Sequence, residues 1–374
     1  MSFWAIVFWL SAGLLVYAQL GYPLLLAALA RRLPPSPDPA AADPPTVSLI
    51  VAAYDEEAVI AAKVANALAL DYPRARLQVV IAADGCNDAT VARARAVGAD
   101  LVLDLPRGGK IRAQDAGVAE SQGAIVAFSD ANSAWEPDAL RILVGAFADP
   151  AVGYACGQVR FCNDAGTNQE GLYWRYEMGL RALESKLGSI TAGNGAIYAT
   201  RREAYFEVDP IMGHDLSFPF NMVKRGWRAV YVPAARATEK MVPSIEGEFA
   251  RKRRMMSHTW PIVLRGGLLS PRGYPPLYAL MIASHRVLRY GAPFLHVAAL
   301  ISSALLLRSS PVYAIAFALP VVLLAAALLA PVLPLRPLLV ARYYVLTTVS
   351  VAAGLWDWLR HGTPAGWEPA EGTR

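Results

Sequence analysis

Charge is what this 374-residue chain has least of: 17% of its residues are Asp, Glu, Lys or Arg, against 55% hydrophobic. Soluble domains carry about 25% charged residues. The shortage is concentrated at the two ends. From Ser2 to Ala30 there is no charged side chain, a run longer than the ~20 residues that cross a bilayer. Gly291 to Leu307 and Ser309 to Leu335 are equally bare apart from His296, and Pro337 to Trp356 is interrupted only by Arg342, whose side chain can snorkel to an interface. Cysteine is scarce as well. Cys86, Cys156 and Cys162 lack metal-ligand spacing and fit buried thiols in a reducing compartment rather than a disulfide framework. No GxxxxGK[ST] loop and no GxGxxG after the first strand are present, which removes support for ATPase and dinucleotide-dependent readings. The net charge of +5 comes without a basic stripe interleaved with aromatics, so nucleic acid is not an expected partner.

The apolar ends frame a more polar centre. Arg31 and Arg32 close the first apolar run, whereas a cleaved leader carries its positive charge ahead of the run. This charge bias predicts a retained anchor, a cytoplasmic central region and a multi-pass protein of the cell membrane, with the lipid bilayer as a partner. The expected organisation is an anchor over 1–32, a Pro-rich linker over 33–45, and an α/β domain over 46–240. A basic helix and interfacial segment follow over 241–290, then transmembrane helices over 291–358 and a tail over 359–374. Pro337 to Trp356 reads either as a third C-terminal span or as a re-entrant segment.

Within the central domain, short apolar runs alternate with helical patterns, the signature of a mostly parallel sheet. Val47 to Ala53, Leu77 to Ala83, Leu101 to Leu103 and Ala124 to Phe128 read as its strands, with helices starting near Glu56, Asp88, Lys110 and Glu136. Each strand end carries polar chemistry. Tyr54-Asp55-Glu56-Glu57 follows the first and Asp84-Gly85-Cys86-Asn87-Asp88 the second. Arg107-Gly108-Gly109-Lys110 follows the third and Asp130-Ala131-Asn132 the fourth. Any one of these segments would pass as helix capping. Together they line the carboxyl edge, where open α/β sheets bind ligands. Asp130 there can hold a divalent cation against a diphosphate, because hard cations prefer oxygen ligands.

This ordered series resembles the family 2 glycosyltransferases, within them the membrane-embedded group of cellulose, chitin and hyaluronan synthases. The four segments are similar to that family's P-x-Y-N-E-E, D-D-G-S-x-D, G-K-x-x-A-L-N-x-G and D-x-D motifs, over most of residues 46 to 260. The resemblance implies a nucleotide-sugar-binding GT-A fold, Rossmann-like and mostly parallel, beside transmembrane helices. It implies that Tyr54, Glu57 and Asp84 bind the nucleotide, Asp84 through the base, and that Lys110 approaches the diphosphate or ribose. Asp130 and Asn132 would hold Mg²⁺ or Mn²⁺. Asn132 departs from the family's second Asp, and a neutral amide is a poorer ligand for a hard cation.

On the acceptor side, Gly193-Asn194-Gly195, followed by Arg201 and Arg202, resembles the family's G-x-x-x-A-x-R-R segment, with glycines that allow close backbone approach. Gly213-His214-Asp215-Leu216 resembles its T-E-D-x-x-L segment. That similarity implies Asp215 as general base, with His214 as an orienting neighbour on the acceptor side; the plain alternative for Asp215 is a helix N-cap. Arg251 and Arg254 lie on an expected helix over Ile245 to Thr259 that resembles Q-x-x-R-W, with Arg251 in place of Gln and Met255 in place of Trp. Their spacing puts them on one helix face, suited either to a leaving diphosphate or to anionic lipid headgroups. The lost Trp weakens the case for a long polymer acceptor. Tyr278 to Leu288 reads as an interfacial helix.

The expected reaction is inverting transfer of a sugar, from a UDP-sugar, to a lipid-linked or glycan hydroxyl at the cytoplasmic face. A processive polysaccharide synthase and a non-catalytic nucleotide-binding scaffold are the alternatives. The scaffold loses ground because Asp84, Asp130 and Asp215 are all retained. Four spans are few for a polymer channel, which a homo-oligomer or partner subunits would have to complete.

Overall fold

The structure, a computed structural model, describes residues 2–33, 43–162, 170–240, 242 and 244–366. Most of the Pro-rich linker expected at 33–45 and the end of the 359–374 tail lie outside the described residues. The chain begins with α1, Phe3–Val16, which passes through a π turn at Tyr17–Gly21 into α2, Tyr22–Ala30. Together they form one apolar helix of 28 residues.

A single sheet then gathers β1, Val47–Ala53; β2, Leu77–Asp84; β3, Leu101–Leu105; β4, Ile125–Asp130; β5, Ala134–Trp135; β6, Val152–Cys162; β7, Ile197–Arg201; and β8, Arg228–Lys240. Its order is β3-β2-β1-β4-β7-β6-β8-β5. The first four strands in that order run parallel. β7 is antiparallel to both its neighbours, and β6 pairs parallel with β8. Every residue of β1 is buried, as a central strand covered on both faces requires. The expected strands stand within a few residues of their positions, and β4 extends to Asp130 itself.

The helices that cover the sheet include α3, Ile60–Leu68; α4, Thr90–Val97; α5, Lys110–Ala119; and α6, Ala139–Gly145. Three of them start later than expected, and at α3 and α4 side-chain oxygens of the Asp88–Thr90 turn take backbone donors ahead of the helix. The Asp88 carboxylate, for instance, accepts from the Thr90 amide at 2.9 Å. On the other side of the site lie α7, Glu170–Leu187, and α8, His214–Lys224.

The basic helix α9 runs Ile245–Leu264, past the expected Thr259, and opens on Ser244, whose hydroxyl accepts from the Gly247 amide. It does not lie free on lipid. Arg253 makes a bidentate pair with Asp357 at 2.6 Å, and Lys252 donates to the Tyr343 hydroxyl at 2.7 Å. Both partners sit on the last helix. That C-terminal part comprises α10, Pro276–Met281; a π turn; α11, Leu288–Leu305; α12, Pro311–Leu329; and α13, Arg336–His361. The segment read as an interfacial helix is continuous with the first C-terminal span as one 30-residue helix. Four helices in all are long and apolar enough to cross a membrane, α13 among them, so the chain is a membrane protein with a mostly parallel α/β domain between its spans.

Candidate active site

The loops at the carboxyl ends of β1 to β4 lock one another. Asp84 is almost wholly buried. It receives the Arg107 guanidinium at 2.6 Å, the Gly108 amide at 2.6 Å and the Gly109 amide at 3.0 Å. Gly109 has φ near +95° with extended ψ, a conformation costly for any side chain. A Cβ there would also stand 2.1 Å from the Ala365 carbonyl oxygen, so the C-terminal segment crosses this loop. The Arg107 guanidinium lies 3.3 Å from the centre of the Tyr54 ring, a stacked cation–π contact. Glu57 is spent on the neighbouring turn: its carboxylate accepts from the Ala89 amide at 3.2 Å, and its own amide donates to Asp88 at 3.0 Å. Tyr54, Asp84 and Lys110 line one narrow cavity. Asp55, Cys86 and Asp88 bring potential ligand atoms within 4.8 Å of one another. Two of the three are holding the loop, through Asn87 and Thr90.

Lys110 is the centre of the site. It stands at the first turn of α5 and donates to the Asp130 carboxylate at the end of β4. Burial disfavours its charge, yet Asp130 first, then Asp215 and Glu239, hold its proton more firmly than in water. Three carboxylates from three separate elements therefore act on one ammonium. Gly195 lies against this pair: a Cβ there would be 3.4 Å from the Lys110 Nζ and 3.8 Å from an Asp130 oxygen.

Asp215 sits inside the first turn of α8, whose N-cap is Gly213. The capping alternative for Asp215 is thus corrected: its carboxylate makes no hydrogen bond among the described residues, while its carbonyl accepts from the Gly193 amide at 2.7 Å. A Cβ on Gly193 would fall 1.9 Å from the Tyr154 hydroxyl oxygen, which explains the small residue. Two other residues expected on the acceptor side have their side chains engaged by the fold. The Asn194 side chain holds its own turn, accepting from the Ala196 and Ile197 amides and donating to the Gly157 carbonyl. The His214 ring is buried, stacked on Phe218 at 4.0 Å and bonded through Nδ1 to the Tyr198 hydroxyl at 2.8 Å. Burial first, and Lys110 second, push its pKa down to about 3. Such a ring is neutral and faces the core, not a substrate. Arg251 chelates Glu248 one turn before it, with both bonds at 2.7 Å. Arg254 raises a positive field at His258, a ring that also feels Asp215.

Comparison with known proteins decides the family. Residues 44–257, more than half of the chain, match the glycosyltransferase-like family 2. This chain belongs to that family. An N-acetylglucosaminyltransferase of Mesorhizobium japonicum is 30% identical over 244 residues, 59% of this chain and 57% of the relative. A beta-monoglucosyldiacylglycerol synthase of Synechocystis sp. is 31% identical over 222 residues, 53% of this chain and 45% of the relative. The chain spans about half the length of the curated relatives it matches. A mannosyltransferase from Pyrobaculum calidifontis, solved with GDP-Man and Mn²⁺, superposes with a TM-score of 0.71 at 24% identity. That superposition covers 95% of this chain and 99% of the other, and it establishes the shared GT-A fold.

Two charged residues of this family 2 site escaped the sequence reading. Lys63 of α3 is buried, donates to the Ser133 carbonyl at 2.6 Å, and has its pKa pushed down to about 7, chiefly by burial and against the pull of Asp130 and Glu239. Glu239, near the end of β8, has its pKa raised first by burial and then by Asp130, with Lys110, Arg251 and Lys63 opposing. Signals for both existed. Lys63 falls on the apolar stripe of its helix with Ile60, Val64 and Ala67, and Glu239 continues the inward alternation Ala235, Ala237. The thiols divide: Cys156 is buried, Cys86 half-buried and Cys162 exposed, all free, which corrects the expectation of uniformly buried cysteines.

Proposed function

We propose that this chain transfers a sugar, with inversion, from a UDP-sugar to a hydroxyl of a lipid-linked or glycan acceptor at the cytoplasmic membrane face. The observation that carries the reading is the Lys110–Asp130 ion pair at the carboxyl edge of the parallel strands, packed against Gly195, with Asp215 and Glu239 adding to the negative field at Lys110. Asp215 has the features of a general base, since its carboxylate is free of hydrogen bonds among the described residues and is fixed by a helix turn. Tyr54, Asp84 and Arg107 form the wall for the nucleotide, and Arg107 would leave the Tyr54 ring to a stacking base. Lys110, with Arg251 and Arg254 nearby, supplies positive charge for the leaving diphosphate.

The donor set fits a hard divalent cation: Asp130 offers carboxylate oxygens beside an ammonium that a cation could displace. Asp130 would hold Mg²⁺ or Mn²⁺, with Asn132 as a weaker neutral ligand, and the ion would neutralise charge on the diphosphate. The lipid-linked acceptor is favoured by apolar helix packing against the helix that carries Asp215: Tyr22 and Leu26 of α2 share a buried cluster with Leu216 and Phe220 of α8. A relative whose name denotes a glycolipid synthase points the same way. Arg31 and Arg32 beside the first span favour the cytoplasmic side. A Ser270→Cys variant should therefore resist an impermeant thiol reagent in intact cells.

The direct test is release of nucleoside diphosphate from a panel of UDP- and GDP-sugars by detergent-purified protein with Mg²⁺ or Mn²⁺. We expect release with at least one UDP-sugar and none from Asp130→Ala. A native protein no more active than that variant on every donor sinks the reading.

A further inference from the structure

We infer that Glu239 is the second anionic ligand of the divalent-cation site built around Asp130, taking the place of the acid that Asn132 lacks. The proposal rests on the reading of Asp130 as a metal ligand and adds a residue from a distant strand. β5 pairs antiparallel with β8, with Ala134 opposite Thr238 and Trp135 opposite Ala237. One step further along that ladder brings Glu239 level with Ser133, the residue immediately after Asn132. The same turn receives Lys63, whose Nζ bonds the Ser133 carbonyl. Glu239 is thus delivered to the Asp130–Asn132 turn by strand register, not by a flexible loop.

Its Oε1 is sealed from solvent and has no hydrogen-bond partner among the described residues. A buried carboxylate oxygen without a donor loses its hydration and gains nothing in return. The cost is consistent with a position shaped for a ligand. The surrounding cations do not close the gap. Lys110 is committed to Asp130, Lys63 to a carbonyl and Arg251 to Glu248. A divalent ion between Asp130 and Glu239 would satisfy both carboxylates and release the Lys110 ammonium toward a diphosphate. It would also restore the pair of negative charges that Asn132 removes from the D-x-D pattern.

The test measures Mn²⁺ binding to the full-length detergent-purified protein by electron paramagnetic resonance titration, without sugar donor, for native, Glu239→Gln, Asn132→Asp, the double variant and Asp130→Ala. We expect Glu239→Gln to weaken Mn²⁺ by at least tenfold and Asn132→Asp to tighten it. The double variant should return toward native affinity, because either acid can supply the second charge. In EDTA, Glu239→Gln should melt no lower than native, since it removes a like charge beside Asp130. Native Mn²⁺ affinity in Glu239→Gln, with binding lost in Asp130→Ala, overturns the inference and leaves the wider reading standing. Undiminished binding in Asp130→Ala removes the metal site itself, and this inference with it. A lower melting point for Glu239→Gln in EDTA, with no recovery of affinity in the double variant, makes Glu239 a structural residue and also overturns the inference.

Discussion

Glu184 and Glu239 are both carboxylates withdrawn from water, but their surroundings differ in kind. Glu184, on α7, accepts on both oxygens: Oε1 from the Tyr22 hydroxyl at 2.7 Å and His285 Nδ1 at 2.6 Å, Oε2 from the Thr191 amide and hydroxyl at 3.0 Å. Arg286 closes the ring by donating to the Thr191 hydroxyl at 2.8 Å. Burial alone would raise the Glu184 pKa, but the charge and hydrogen bond of His285, the charge of Arg286 and the hydrogen bond from Tyr22 outweigh it and bring it down to about 2. This cluster joins the first membrane helix, the catalytic domain and the first C-terminal span, and both Glu184 oxygens are satisfied; only His285 Nε2 lacks a hydrogen bond among the described residues, 3.4 Å from the Glu177 carboxylate. The Lys110 cluster, by contrast, sets three acids, Asp130, Asp215 and Glu239, on Lys110 and leaves an orphan oxygen at Glu239. Saturation marks a joint; a deficit of partners marks a place for a ligand.

The comparison breaks first at Glu184. Glu184→Ala strips the carboxylate from a fully buried ring and leaves Arg286 without its counter-charge. Removing one partner of such a pair typically costs about 3–5 kcal/mol. We expect a large fall in melting temperature in detergent, with activity lost in step with folded protein. A variant that melts like native would mean that saturation of this cluster contributes little to the joint.

The second test is applied where partners are lacking. Asp215→Asn retains size and removes only the ability to accept a proton. A positioned carboxylate base contributes about 10²–10⁴-fold, so transfer should fall at least about a hundredfold. Donor affinity, measured by calorimetry, and melting temperature should stay near native. Near-native transfer in this variant would leave the base unassigned, and the free carboxylate would need another explanation.

Much of the candidate site is legible in the sequence, though neither Glu184 nor Glu239 is, and the part that is not legible has a physical cause. Asp84, Lys110, Asp130 and Asp215 announce themselves because each follows an apolar run or opens a helix, where polar residues are conspicuous. Their partners are less visible. The pairing of Asp84 with Arg107, Gly108 and Gly109 depends on the parallel register of β2 and β3. The delivery of Glu239 depends on β8 meeting β5, more than a hundred residues apart in sequence. The reading stopped at four parallel strands because β6, β7 and β8 join the sheet through long-range pairing that local periodicity does not encode. The surroundings of His214 and Asn194 are hidden for the opposite reason. Polar residues in a motif read as exposed, and only the aromatic stack around His214 and the turn around Asn194 show that both are consumed by the fold.

The smallest effect concerns His214, which sharpens the comparison because it is buried yet neither saturated nor catalytic. Nδ1 meets the Tyr198 hydroxyl, whereas Nε2 has no partner among the described residues. Burial first and the Lys110 charge second hold the folded pKa at about 3 against 6.5 for an ordinary imidazole. The unfolded chain therefore takes up the proton first, and stability contributed by the neutral ring is lost as pH falls from about 6.5 towards 3. At pH 5 that difference corresponds to about 2 kcal/mol, at 1.36 kcal/mol per unit. His214→Gln keeps a polar partner for Tyr198 and cannot titrate. Comparing native and variant cancels the contributions of Lys63, Glu239 and Glu184, which both proteins share. The native protein should lose more melting temperature than the variant between pH 7 and pH 5. Parallel melting curves across that interval would show that the ring is not held neutral, and would move His214 out of the core and back toward the substrate.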